Sequence, residues 1–192
     1  MPYTSEARPK RQLSVALGLA TAAAALIAFP SHALADGSGG LGTGGPPAPP
    51  TATTAGSKAK LVDGYAVAPR NAPPRVAAAI EAGNRIIDKP YCLGGGHARW
   101  ESRCYDCSGT VSYALGKRGA RVLDSPMPSG SFMNWEKGGA GEWITVYANG
   151  GHMYVVIAGL RLDTSQTPGD GPGWSKVKLH QRGYSVRHPR NF

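Results

Sequence analysis

The chain has 192 residues and carries 21 Lys plus Arg against 12 Asp plus Glu, a formal charge of +9. That length suits one ordinary domain with a leader and a tether, and leaves no room for several. The basicity suits an anionic surface. No basic run exceeds two residues and no aromatic ladder interleaves the charges, which argues against nucleic acid as a partner.

Residues 1–35 read as an export signal: Arg8, Lys10 and Arg11 make a basic start, residues 13–29 are apolar, and Ala33-Leu34-Ala35 is a cleavage signal. Lys10-Arg11 is not a twin-arginine pair, and no cysteine follows to take a lipid. The apolar stretch is Ala-rich and marginal for spanning, so no stable membrane anchor is expected after cleavage. Cleavage removes three basic residues and one acidic one, so 157 residues with a charge of +7 remain for a secreted protein. Residues 36–58, dominated at first by Gly and Pro, form a flexible linker. Residues 59–70 are a transition segment with no assignable structure, and the folded domain is expected over 71–192.

Pro73 and Pro74 suit the first turn of a helix in which Val76, Ala79, Ile80, Gly83, Ile86 and Ile87 share one face. Pro90 ends it. Residues 91–105 form a Gly-rich, cysteine-bearing loop. Asp106-Cys107-Ser108-Gly109 then leads into a second helix that runs on through Thr110 to Leu115 and stops around residues 116–119. Residues 124–142 form a long loop, of the kind that often walls a site. Strands are predicted at 143–148, 152–158, 160–164, 177–179 and 184–186. Helices first and antiparallel strands after define an α+β domain, with the Cys107 helix packed on the sheet.

The chemistry lies at the start of that helix. Asp106 can cap it, and a thiol at a helix N-terminus faces unpaired N–H groups and the positive end of the dipole, which stabilise a thiolate. Asn149-Gly150-Gly151 is a turn that sets His152 at the mouth of a strand. Cys and His together are the parts for thiol-based acyl transfer. A two-residue turn after Ala158 or Gly159 would put Asp163 on the face of His152, where its carboxylate can orient the imidazole. His188 is the rival for that role; His97 and His180 read as loop or surface histidines. Cys92, Cys104 and Cys107 allow three pairings. If Cys107 is the nucleophile, the bridge is Cys92–Cys104. Two alternatives remain open: a redox pair at Cys104-Tyr105-Asp106-Cys107, and a zinc site from Cys92, His97, Cys104 and Cys107.

Pro90-Tyr91 with Gly94-Gly95, then Asp106-Cys107-Ser108-Gly109, then Gly151-His152, in that order behind a secretion signal, resembles the NlpC/p-sixty family of cell-wall cysteine endopeptidases over about residues 71–190. The resemblance implies a papain-like α+β core and hydrolysis of peptide bonds in peptidoglycan stems, typically between the γ-carboxyl of D-glutamate and the diamino acid. It implies Cys107 as nucleophile and His152 as general base and then acid. Tyr91 would stand near the developing oxyanion, and Asp106 and Ser108 would line the substrate subsite. Two departures stand out. Most members carry His, Asn or Gln where this chain offers Asp163, and many lack the loop bracketed by Cys92 and Cys104.

The expected protein is therefore a secreted, wall-associated, monomeric thiol hydrolase that needs neither metal nor organic cofactor. Its partners would be stem peptides and the anionic wall. The rival readings are a wall-binding or partner-binding module that keeps the fold without catalysis, and an amidase or acyl-transfer variant of the same chemistry.

Overall fold

A computed structural model describes residues 56–165, 171–178 and 182–192. The expected signal, most of the linker, Leu179 and His180 lie outside the described residues.

The transition segment is a β-hairpin, β1 (Lys60–Val62) paired with β2 (Tyr65–Val67). Asp63 and Gly64 both have positive φ, 49° and 84°, the geometry of a two-residue turn whose twist matches the flanking strands. Helix α1 (Pro74–Asn84) begins with Pro at its first position, where a missing N–H costs nothing. It ends earlier than Pro90. Asn84, buried, turns its side-chain amide to the hairpin, accepting from the Ala66 N–H at 3.0 Å and donating to the Ala66 carbonyl at 2.9 Å. That bond pair fastens β2 to α1.

Helix α2 spans Cys107–Leu115 and the short α3 spans Ser129–Phe132. The strands that follow are β3 (Lys137–Gly138), β4 (Ile144–Ala148), β5 (Met153–Ile157), β6 (Leu160–Asp163), β7 (Gly173–Lys176) and β8 (Ser185–His188). They form one antiparallel sheet in the order β3-β8-β4-β5-β6-β7. The protein is α+β, with a small helix set and antiparallel sheets.

Strand alternation divides the sheet. Met153, Val155, Ile157, Leu160 and Leu162 are buried in one core with Val76, Ala79 and Ile80 of α1 and Val111, Ala114 and Leu115 of α2. Each larger aliphatic so buried contributes about 1.5–3 kcal/mol. Gly83 lets α1 approach β7 closely, since a Cβ there would stand 2.4 Å from the Trp174 ring. The alternate positions Tyr154, Arg161 and Asp163 lie on the other face and are also buried.

Two strand assignments shift. The expected strand at 177–179 is displaced to β7, because β6 offers partners only from Asp163, opposite Gly173, to Leu160, opposite Lys176. Val177 and Lys178 lie past the turn at Gly159. The last strand begins at Ser185, opposite Ala148, and runs on to His188 because Lys137 and Gly138 pair with it on its other edge. The loop at 124–142 is correspondingly not bare; it contains α3 and β3.

Candidate active site

The start of α2 is built by Asp106. Its Oδ1 accepts from the Gly109 N–H at 2.7 Å, as a helix cap does, and its main-chain carbonyl accepts from the Thr110 hydroxyl at 2.8 Å. The fourth position of the motif has a packing reason. A Cβ on Gly109 would stand 1.9 Å from the Gly95 carbonyl oxygen, so only glycine lets the 94–96 loop cross the helix start. The loop is held there by the Asp106 N–H donating to Gly95 at 3.2 Å and by the Gly94 N–H donating to Asp106 Oδ2 at 2.9 Å.

Cys92 and Cys104 form a disulfide, and Cys107 is a free, half-buried thiol. The zinc set and the redox pair are thereby both excluded, since each needs Cys104 as a thiol. Among the described residues no group of three or more His, Cys, Asp or Glu is placed to hold a metal.

His152 stands one residue before β5. Asn149 Oδ1 accepts from the N–H groups of Gly151 (2.9 Å) and His152 (2.8 Å), closing the turn that fixes the imidazole at the end of the sheet. The ring meets Asp163 Oδ1 through Nε2 at 2.9 Å, and the Cys107 side chain is near enough to raise the imidazole's pKa. With Nε2 taken by the carboxylate, the nitrogen left for sulfur is Nδ1. The turn after β5 decides this meeting. Ala158 and Gly159, with φ of 46° and 84°, make a two-residue connection between Ile157 and Leu160, and that parity sets Asp163 on the face of Tyr154 and His152.

Asp163 has no exposed side-chain surface. Its oxygens accept from His152, Arg161, the Thr164 N–H (2.7 Å) and the Ser165 hydroxyl (2.9 Å). Burial works against its charge. The hydrogen bond and charge of His152, the Arg161 guanidinium and the Ser165 hydroxyl outweigh that and hold its pKa below the ordinary carboxylate value. His152 is pushed up to about 9, first by the hydrogen bond to Asp163 and then by Cys107, against the opposing effect of burial. The pair therefore favours imidazolium beside carboxylate at neutral pH.

Three contributors escaped the sequence reading. Arg161 is nearly buried, pairs with Asp163 and lies over the Tyr154 ring at 3.7 Å from its centroid. Its i, i+2 spacing from Asp163 in a strand was the available signal. Ser165, two residues further along, bonds to Asp163 and stands 3.4 Å from His152 Nε2. His97 lies in the loop, as expected, but is half-buried and engaged. Its Nε2 is 3.1 Å from Asp106 Oδ1 and 3.0 Å from the Ser108 hydroxyl, so the two expected subsite residues, both buried, are engaged by it.

Tyr91 is exposed. Partial burial, then the charges of Cys107 and Asp106, push its phenol upward. His188 is not brought to the site. It lies at the far end of β8, its Nδ1 3.0 Å from the Gly139 carbonyl.

Together these residues set a thiol, an imidazole and a buried carboxylate in series on an α+β scaffold. No family model and no curated protein matches the chain. Four chains of known structure do. One is the structure of the Resuscitation Promoting Factor Interacting protein RipA mutated at E444, similar at 22% identity with a TM-score of 0.44, over 59% of this chain and 61% of that one. The chain thus spans under two thirds of that structure.

Proposed function

We propose that this protein is a secreted cysteine hydrolase of the NlpC/p-sixty kind, with a papain-like core, that cleaves peptide bonds in peptidoglycan stems. One observation carries the reading: the lone free thiol among the described residues heads a capped helix and neighbours a histidine whose Nε2 is held at 2.9 Å by a buried carboxylate.

In the first half-reaction Cys107 sulfur attacks the scissile carbonyl while its proton resides on His152. The C–N bond breaks, His152 protonates the leaving amine, and an acyl-thioester remains. In the second, His152 takes a proton from water, hydroxide attacks the thioester, and the thiolate leaves and recovers the proton. The balance is one peptide bond and one water consumed, one acid and one amine released. Asp163 holds the ring and supports the imidazolium in both halves. The first-turn N–H groups of Cys107 and Ser108 have no intrahelical acceptor and are available to the oxyanion, and the Tyr91 hydroxyl is the side-chain donor assigned to assist them. Asp106 and Ser108 line the subsite for the stem's amine. His97 is the outermost member of that cluster, its side chain 28% exposed, and an incoming amine takes its place on the carboxylate.

A disulfide in the folded unit suits an oxidising, extracytoplasmic compartment. Among the described residues no helix is long and apolar enough to cross a membrane. Incubation with defined muropeptides, followed by product masses, tests the reading. Cleavage between D-glutamate and the diamino acid is expected. Masses showing only loss of a terminal ammonia would make the protein an amidase, and intact muropeptides would leave the fold as a binding module.

A further inference from the structure

Away from Cys107, on the outer side of the disulfide loop, the surface is hollowed and strongly basic. One hollow of about 610 Å³ lies between the ends of α1 and α2 and is lined by Arg85, Lys89, Lys117, Arg118 and Arg121. A second, of about 800 Å³, shares Lys89 and Glu101 with the first and adds Arg99 and Arg103. A third, beside Trp100, shares Arg99 with the second and Lys117 and Arg118 with the first. The three are therefore one track. All seven cations are exposed. The one carboxylate among the lining residues, Glu101, is paired with Arg118 at 2.8 Å.

We propose that this track binds a linear phosphodiester polymer of the bacterial wall; the choice of wall as source rests on the function proposed above. Five of the seven cations are arginine, whose planar guanidinium matches phosphate oxygens two at a time. Their exposure and the open course across three adjoining hollows suit an extended polyanion held at many points, rather than a small anion in a closed pocket. Nucleic acid fits less well. Of the rings at the track, Tyr105 and Tyr113 are 1% and 3% exposed and only Trp100 is partly exposed, so successive bases find no ladder of stacking platforms. The course is also informative. The second hollow includes Gly94 and Cys104, and Gly94 donates to Asp106 beside the thiol. A polymer seated in the track would hold the candidate site against the wall.

The test uses purified protein, synthetic poly(glycerol phosphate) and poly(dT), with dissociation constants measured across a salt series. One variant carries Arg99→Glu, Arg103→Glu and Lys117→Glu. A control of equal net charge carries Lys60→Glu, Arg70→Glu and Lys137→Glu. Poly(glycerol phosphate) should bind the wild type. The track variant should bind at least roughly tenfold more weakly, with a log-log salt slope shallower by about two, while the control changes less than about threefold. If the glutamate variant does not fold, the three glutamine substitutions are measured instead, with a loss of about threefold or more expected. Equal losses in both variants, no binding by the wild type, or tighter binding of poly(dT) through the same residues would overturn the proposal. The probe contains no peptide bond, so a protein that binds it but leaves muropeptides intact would sink the hydrolase reading alone.

Discussion

Replacing Asp163 by Asn removes a charge and little volume, and the structure sets two separate magnitudes for the result. The first concerns His152. Its rise from 6.5 to about 9, with Asp163 the largest cause, corresponds to about 3 kcal/mol of preference for imidazolium. Losing the carboxylate should lower the imidazolium pKa by more than about one unit, and with it the basic limb of the activity profile. Turnover should fall by roughly 10²–10⁴, since an amide no longer fixes the tautomer. The second concerns Arg161, whose side chain is only 9% exposed. Its guanidinium would be left without its carboxylate, at about 3–5 kcal/mol, or roughly 6–20 °C in melting temperature. The double variant Arg161→Met with Asp163→Asn should recover most of that stability and none of the turnover. The assay is turnover against pH on one muropeptide, with melting curves for both variants and for His152→Ala. An unchanged pH profile in Asp163→Asn, or a collapse of activity in His188→Ala, would refute the reasoning.

Three further outcomes follow from the same geometry. Reducing the Cys92–Cys104 bridge should cost about 3 kcal/mol of stability and loosen the loop that meets Asp106; mass mapping without reductant should find Cys107 free, and a bridge to it would contradict this. Gly109→Ala should abolish turnover and lower the melting temperature, because its Cβ would stand 1.9 Å from the Gly95 carbonyl; wild-type behaviour would show that the loop yields. The His152 pKa is raised on folding to about 9, so its stabilising contribution is whole below pH 6.5 and is lost as the pH climbs through 9. Denaturant midpoints measured across that range should fall in the wild type and stay flat in His152→Ala.

Much of this was legible in the chain. Asp106 before a run of helix formers marks a capped start, and the face shared by Val76, Ala79, Ile80, Gly83 and Ile86 marks α1, because both signals are local. Asp163 depended on one non-local number, the length of the turn at Ala158-Gly159, and two residues is the commonest hairpin solution. The hairpin at 60–67 was available too: Asp63-Gly64 between Leu61-Val62 and Tyr65-Ala66-Val67 is a strong turn signal. What could not be read is where strands stop. Val177 and Lys178 have a strand-like neighbourhood, yet β6 has no residues left to pair with them. His97 also lay beyond reach, since its bond to Asp106 depends on how a disulfide loop folds back over a helix start. Arg161 reads as a surface residue until the opposite face of the sheet proves to be covered.

The most direct measurement compares wild-type and Cys107→Ala protein on one defined muropeptide, with product masses followed over time and melting curves as a check on folding. The alanine variant should melt within a few degrees of the wild type and release no stem-peptide fragment, while the wild type releases the two halves of the cleaved stem. Release of the same fragments by the alanine variant at the wild-type rate would contradict the account.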